Sequence, residues 1–470
     1  MIYRASKFFI KIPLKKGVLL INGLTGSVDL VSSRYSRQIS QFKPQQIVNH
    51  NLVDQRLFRY LVKQKYLIST REEEINKYKH LVSTLQKTNK NSQTIYICIN
   101  PTERCNLSCF YCINSPNRQN VLKFPPISPD KIRSIFQLID RFIKDGKTIG
   151  GNQIKLFGGE PLLPGVRPTI TAICHECQLR NFSLDITTNG TYVRNYLNLI
   201  DKYPNVFKHF QITLDGPVKV HNQRRSTSTG KGYFNEIIIG VDSLLKRNKW
   251  VTLRSNFDKN TLKYLPEVGK LIKQKKWYKH NMFLYAPHNI NSNYVGDSDC
   301  FSNRAIFLKT VHQIIKSHST DLSFIKPIDL IAEPEELIIK AVFPKQKLLT
   351  PFFPSVHGCA ANGLHSLTFA SDNKIYTCNA SVGIDEFCVG EYYPKYRIYP
   401  SKKRFWETNR FVNTLSDCKD CRFQFMCGGG CALSTYFSSH NIKGVENEWC
   451  ENIQDDLETV GQIFEEKLFN

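Results

Sequence analysis

A chain of 470 residues, 41% of them hydrophobic, has enough apolar material for a large core and for two or three domains. Lysine and arginine number 64 against 40 aspartates and glutamates, a net charge of +24, which attracts polyanions without choosing among nucleic acid, anionic lipid and acidic peptide. No run approaches about 18 uncharged apolar residues, and residues 1–17 hold neither a long apolar stretch nor a small-residue cleavage site; membrane span and signal peptide are both excluded as expectations.

The first ninety-odd residues carry no catalytic motif. Residues 8–12, 18–21 and 28–31 read as short strands, with Thr25-Gly26 as a turn. Helical patterns follow at 34–42, 54–63 and 73–88, leading into a polar linker at 87–93. Three strands with helices suit a small winged-helix-like module over residues 1–92. Small basic clusters lie within Lys7–Lys16 and at Lys402, Lys403 and Arg404, and none belongs to an RNA-binding motif.

The apolar, strand-like run 94–100 ends in Cys105-Asn106-Leu107-Ser108-Cys109-Phe110-Tyr111-Cys112. Three soft thiolates on one short loop point to zinc or iron–sulfur, and a structural zinc site would need a fourth local ligand that the loop does not offer. Fifteen cysteines in clusters read as metal ligands in a reducing compartment, so cytoplasmic localisation is expected. The octet resembles the signature of the radical S-adenosylmethionine (SAM) superfamily. The resemblance implies that Cys105, Cys109 and Cys112 hold three irons of a 4Fe–4S cluster. The fourth iron binds SAM, and reductive cleavage yields a 5′-deoxyadenosyl radical that takes a hydrogen from the substrate.

Between residues 93 and 330, helical and strand-like segments alternate: Pro129–Lys144, then 153–157, 167–180 and 183–188. That rhythm argues for parallel strands with outer helices. In the superfamily it builds a partial (β/α)6 barrel of TIM type, with the chemistry at the C-terminal strand ends. Phe157-Gly158-Gly159-Glu160-Pro161 ends one strand; its glycines let backbone approach a ligand, and its carboxylate can accept from an ammonium group. It is similar to the family's SAM-amino motif, which assigns Gly158, Gly159 and Glu160 to the cofactor. Thr187-Thr188-Asn189-Gly190 ends the next strand and adds Asn189. Gln211-Ile212-Thr213-Leu214-Asp215-Gly216-Pro217, followed by His221 and Arg225, resembles a stretch of peptide-modifying and sulfatase-maturing members. There Thr213 replaces a serine near the SAM ribose, Arg225 contacts the SAM carboxylate, and Tyr111 lies against the adenine. His221 reads as a structural hydrogen-bond partner. Arg254 has two readings, a cofactor or substrate contact and a barrel ion pair. The Cys174/Cys177 pair and Cys98 read as buried structural residues.

From 331 to 470 a second cysteine series appears: Cys359, Cys378, Cys418, Cys421, Cys427, Cys431 and Cys450. The order resembles the SPASM domain, which houses two auxiliary 4Fe–4S clusters, for three clusters in all. By that pattern Cys418, Cys421, Cys427 and Cys450 hold one cluster. Cys359, Cys378 and Cys431 hold the other, whose fourth cysteine is replaced by Phe353; an open iron, Cys300 or Cys388 completes it. Asn373 stands where the family has a glycine, and asparagine tolerates the left-handed turn. Asn379 stands where anaerobic sulfatase-maturing enzymes carry a basic aspartate, and it cannot take a proton at neutral pH.

The resemblance implies a SPASM-type peptide maturase that cross-links a ribosomally made precursor through a thioether or carbon–carbon bond. Epimerisation is less expected, because it needs no second auxiliary cluster. Its partners would be a precursor with a leader peptide and a reductase, flavodoxin or ferredoxin. No membrane partner is expected, and nucleic acid is disfavoured. Two readings stand for the N-terminal module: a leader-peptide grip by strand addition, or a packing cap on the barrel. Rival functions are sulfatase maturation, RNA modification, and a non-enzymatic iron–sulfur carrier, for which the SAM-type motifs would be superfluous.

Overall fold

The computed structural model describes residues 2–114, 119–290, 300, 301, 303–326 and 354–468. Six strands, β1 (Tyr3–Ala5), β2 (Phe9–Pro13), β3 (Gly17–Asn22), β4 (Val28–Ser32), β5 (Ile47–Val48) and β6 (Leu67–Ile68), form two antiparallel sheets, ordered β5-β1-β6 and β2-β3-β4. The two-residue strands escape a sequence reading because they are too short to show an alternation. Helix Gln55–Lys63 begins where Asp54 accepts from the Arg56 and Leu57 amides, an ordinary N-cap. The expected linker at 87–93 is instead mostly helical: the third helix runs from Arg71 to Asn91. Thr70 caps its start by accepting from Glu73 N–H, and three glutamates in its first turn suit the helix dipole. Its last turn is held because the Asn89 side-chain carbonyl meets His357 Nε2 at 2.7 Å and His365 Nε2 at 2.6 Å.

The partial barrel expected from the βα rhythm is present. β7 (Thr94–Ile99), β8 (Thr148–Leu156), β9 (Ser183–Thr188), β10 (Phe207–Thr213), β11 (Trp250–Phe257) and β12 (Phe283–Asn289) lie side by side, each parallel to the next. Strand alternation separates two faces. On β9, Leu184, Ile186 and Thr188 are buried, while Ser183, Asp185 and Thr187 are half-buried. Pro129–Lys144 contributes Ile132, Ile135, Phe136, Leu138 and Ile139 to the core, and Cys174 and Cys177 of helix Arg167–Leu179 are buried with them. Burial pushes both thiols up, so the structural reading of that pair holds.

The expected boundary near residue 330 lies outside the described residues. The sheet itself continues beyond it: β13 (Ser366–Phe369) pairs parallel to β7, and β14 (Lys374–Tyr376), β15 (Cys388–Glu391) and β16 (Arg397–Ile398) extend the same sheet antiparallel to ten strands. Asn373 adopts φ 71° between β13 and β14, the left-handed turn anticipated for it.

The N-terminal module packs on the cysteine-rich segment through one side, while Ile10, Ile12, Leu19 and Ile21 belong to the cluster that contains the barrel core. Phe8, Leu24 and Val82 pack with Val356, Phe411, Leu415, Cys418 and Phe425. A Cβ on Gly23 would stand 2.9 Å from the Arg422 carbonyl oxygen, so this turn needs a residue without one. Along β2, Gln454 of the C-terminal helix Asn447–Leu468 donates to Lys11 O at 3.0 Å. That helix packs over β2, whereas β4 ends its sheet with no further strand beside it among the described residues.

Among the described residues no helix is long and apolar enough to cross a membrane.

Candidate functional site

The three-cysteine loop leaves the C-terminal end of β7 and lies across the ends of β8, β9 and β10. Its seat is made by the two glycines after β8. A Cβ on Gly158, whose φ is 109°, would fall 2.4 Å from Thr102 O; one on Gly159 would fall 2.2 Å from Arg104 O. Gly159 N–H donates to Thr102 O at 2.9 Å and Glu160 N–H to Arg104 O at 2.8 Å. The glycines therefore admit the loop's own backbone, a different close approach from the ligand contact read from the sequence.

Glu160 is fully buried, and its carboxylate is heavily engaged. Oε1 accepts from Leu162 N–H at 2.8 Å and from the Thr188 hydroxyl at 2.7 Å; Oε2 accepts from Asn189 N–H at 2.7 Å. Burial raises its pKa, and these three donors work against that rise. Glu160 thus ties the end of β9 to the end of β8. Asn189, held in this way, turns its side-chain amide to the loop, donating to Asn106 Oδ1 at 2.9 Å and toward Cys105 Sγ at 3.7 Å.

Tyr111 has a role the sequence did not disclose. Its phenol donates to Asp215 Oδ2 and accepts from Arg225 Nη1 at 2.5 Å. Asp215 is fully buried; it also accepts from Asn256 N–H at 2.7 Å, while its own amide donates to His221 Nδ1 at 3.1 Å. Burial, followed by the charges of Arg225 and Arg224, pushes His221 down to about 3, so the imidazole is neutral and its Nδ1 accepts. The Asp-Gly-Pro stretch with its His and Arg is a clamp that joins the cysteine loop to β10 and β11. Arg225 gives Nη1 to that clamp, while its buried Nε meets no acceptor among the described residues. Arg254, opposite Thr213 in register, donates from Nε to Asn256 Oδ1 at 2.8 Å and forms no ion pair among the described residues, so the barrel ion pair is not made. Asn256, in contact with Asp215 and Tyr111, was missed from sequence because a lone asparagine at a strand end carries no signal.

The C-terminal thiols sort into two sets. Cys378 is influenced by Cys359 and Cys431, whereas Cys450 is influenced by Cys427, Cys418 and Cys421. Chain order interleaves these sets, and the fold separates them. Cys388 takes no part: its thiol meets Gly390 O at 3.7 Å, and its nearest charged groups are Lys374, Asp372 and Asp385. It does not complete the three-thiol set. Phe353 lies outside the described residues. Cys98, buried in β7, donates toward Asn100 Oδ1 at 3.5 Å. Among the described residues no group of His, Cys, Asp and Glu is arranged around a single metal ion.

Residues 99–271 match the family model of the Radical SAM superfamily. The chain carries a radical SAM domain. Its first cysteine sits six residues inside the matched span. A cysteine-type anaerobic sulfatase-maturating enzyme of Clostridium novyi (strain NT) is 23% identical over 325 residues, covering 63% of this chain and 77% of the relative. Among solved structures, anSMEcpe with bound AdoMet superposes with a TM-score of 0.59 at 16% identity, over 80% of this chain and 94% of that one. Streptococcus suis SuiB bound to precursor peptide SuiA gives 0.56 at 15% identity, over 96% of this chain and 100% of that one. These likenesses establish the fold: a partial barrel of the kind radical SAM domains use, followed by a cysteine-rich C-terminal extension.

The donor chemistry fits the groups the superfamily uses. Three thiols on the first loop would leave one iron of a cubane open, and sulfur-directed N–H groups of Leu107 (3.4 Å) and Asn189 face Cys105. The two C-terminal sets offer three and four thiols.

Proposed function

We propose that this radical SAM enzyme modifies a ribosomally made precursor peptide, using three 4Fe–4S clusters and installing an oxidative thioether or carbon–carbon cross-link. When bound, the cluster at Cys105, Cys109 and Cys112 supplies the electron that splits SAM into methionine and the 5′-deoxyadenosyl radical that takes the substrate hydrogen. The chain's residues do the rest. Gly158, Gly159 and Glu160 seat the loop at the strand ends, with SAM's amino group taken by the backbone there; Asn189 orients Cys105. Thr213 offers its hydroxyl to the ribose. Tyr111, Asp215 and Arg225 fix the loop against the barrel, and the guanidinium groups of Arg225 and Arg254 offer donors to the SAM carboxylate. The C-terminal thiol sets would hold two auxiliary clusters, which would serve as acceptors for the electron that cross-linking releases, and an external reductase or flavodoxin-type donor would supply the electron for SAM cleavage.

One observation carries the peptide reading. Among the described residues no strand pairs with the β4 edge of the N-terminal module, which packs directly on the segment that bears Cys418. A leader peptide adding a strand to that edge would be anchored beside the auxiliary clusters, with its core segment free to enter the barrel. The likeness to SuiB, which spans the N-terminal module as well, supports the same reading. A second reading, sulfatase maturation, draws on the curated relative. Against it stands Asn379, whose backbone carbonyl accepts from Asn100 Nδ2 at 3.0 Å and whose side chain cannot serve as a base.

The test is mass spectrometry of candidate substrates after anaerobic incubation of the reconstituted enzyme with SAM and dithionite. The expected product is a precursor peptide lighter by two hydrogen atoms, with 5′-deoxyadenosine formed in step. Conversion of a sulfatase-type cysteine peptide to formylglycine, with precursor peptides untouched, would overturn the proposal in favour of the second reading.

A further inference from the structure

Arg410 has no exposed surface and is among the largest fully buried side chains of the described residues. Among the described residues its Nη2 reaches only distant acceptors, Gly429 O at 3.4 Å and Thr435 Oγ1 at 3.5 Å, and Nε and Nη1 meet no acceptor. A guanidinium stays protonated in proteins, and a dry, unpaired cation is strongly unfavourable unless an anion faces it. No carboxylate does so among the described residues. The charge-bearing groups around it are Cys418, Cys431, Cys359 and Cys427: two thiols from each set.

The backbone explains how one side chain comes to stand between both. Gly428, Gly429 and Gly430 follow one another at φ 64°, 85° and 68°, a left-handed run that only glycine sustains. It bends the chain between Cys427 and Cys431 so that the two enter different sets. Gly428 lies so close to Gly358, the neighbour of Cys359, that a Cβ there would fall 2.0 Å from Gly358 N. On the other side, a Cβ on Gly429 would meet Arg410 Nη1 at 3.6 Å. The triple-glycine turn is thus the junction of the two sets, and Arg410 is laid against it.

Resting on the cluster assignment above, we infer that Arg410 is a cation shared by the two auxiliary clusters, a positioning and tuning residue that directs Nε and Nη1 to their sulfurs. Iron–sulfur clusters bound by thiolates are anionic and gain charge on reduction. A buried positive charge and N–H···S bonds therefore favour the reduced forms and lessen the repulsion between two neighbouring anionic groups. A merely structural arginine would affect folding without moving a potential.

The experiment is an EPR-monitored redox titration of the reconstituted enzyme, with iron content and Mössbauer spectra, comparing wild type with Arg410→Gln and Arg410→Lys. Arg410→Gln should lower the reduced-to-oxidised ratio of both auxiliary clusters at a fixed potential by about tenfold, which is about 59 mV for a one-electron couple. Arg410→Lys, keeping the charge but not the fork of donors, should fall between. The cluster at Cys105, Cys109 and Cys112 should be unchanged, as read by its SAM-induced EPR shift. If Arg410→Gln does not load fully, the expected loss is about eight irons, both auxiliary clusters together. Full loading of Arg410→Gln with wild-type potentials, or a shift or loss confined to one auxiliary cluster, would overturn the inference. Wild-type protein that binds only about four irons would instead remove the cluster assignment on which it rests.

Discussion

The α-carbon of Gly159 faces the carbonyl of Arg104 so closely that a methyl group added there would lie 2.2 Å from the oxygen. The end of β8 and the loop that presents Cys105, Cys109 and Cys112 are therefore one packed unit, and the glycine pair is the surface on which the loop rests.

From that contact, Gly159→Ala should displace the loop and leave the C-terminal thiol sets intact. Iron in the reconstituted protein should fall from about twelve to about eight per chain, and SAM cleavage should be lost. Iron analysis with Mössbauer spectroscopy checks both numbers. Gly165→Ala is the control, because nothing lies within 4 Å of a Cβ built there; it should load and react normally.

Tyr111→Phe should weaken the clamp without emptying the site. The substitution removes one donor from Asp215 Oδ2 and the acceptor of Arg225 Nη1, but Asp215 keeps its bond from Asn256 N–H. Leaving buried polar groups short of a partner costs about 1–3 kcal/mol. The expected result is a lower unfolding midpoint and slower 5′-deoxyadenosine formation with full iron content, measured by thermal unfolding and chromatography.

His221 predicts an acid-sensitive step. Its folded-state pKa is depressed to about 3, mainly by burial, against about 6.5 in the unfolded chain. Between these values the unfolded chain binds the extra proton. The stability linked to His221 is therefore complete above about pH 6.5 and is lost progressively as pH falls toward about 3. His221→Asn should flatten that part of the stability-versus-pH curve, at the cost of a longer acceptor for Asp215 N–H. Urea unfolding at a series of pH values is the measurement, and an unchanged slope would refute the assignment.

An acidic leader peptide should bind through the exposed arginines beside the open edge. Arg34 and Arg37 lie on the exposed side of helix Ser33–Ser40, which packs against β3 and β4. Arg34→Glu with Arg37→Glu should lower leader affinity several-fold and reduce its salt dependence, without altering SAM cleavage in the absence of peptide. Fluorescence anisotropy at two ionic strengths reports both effects.

Much of the chemistry was written locally. The Cys105–Cys112 octet, the Gly-Gly-Glu turn and the interleaved C-terminal cysteines are short motifs whose spacing fixes which atoms leave a strand end together, and the βα alternation fixes the parallel barrel that carries them. What the motifs do within the fold was not legible. The roles of Glu160 and Tyr111 depend on partners 28 and 104 residues away, Thr188 and Asp215, and only folding brings those buried donors and acceptors together. Chain order likewise could not show that the N-terminal module rests on the cysteine-rich segment. That packing is decided by apolar surfaces centred on Phe8 and Phe425, which carry no sequence pattern in common. Nor could it single out Arg410 from the other basic residues: an arginine's charge is local information, but the absence of water around it is a property of the whole core.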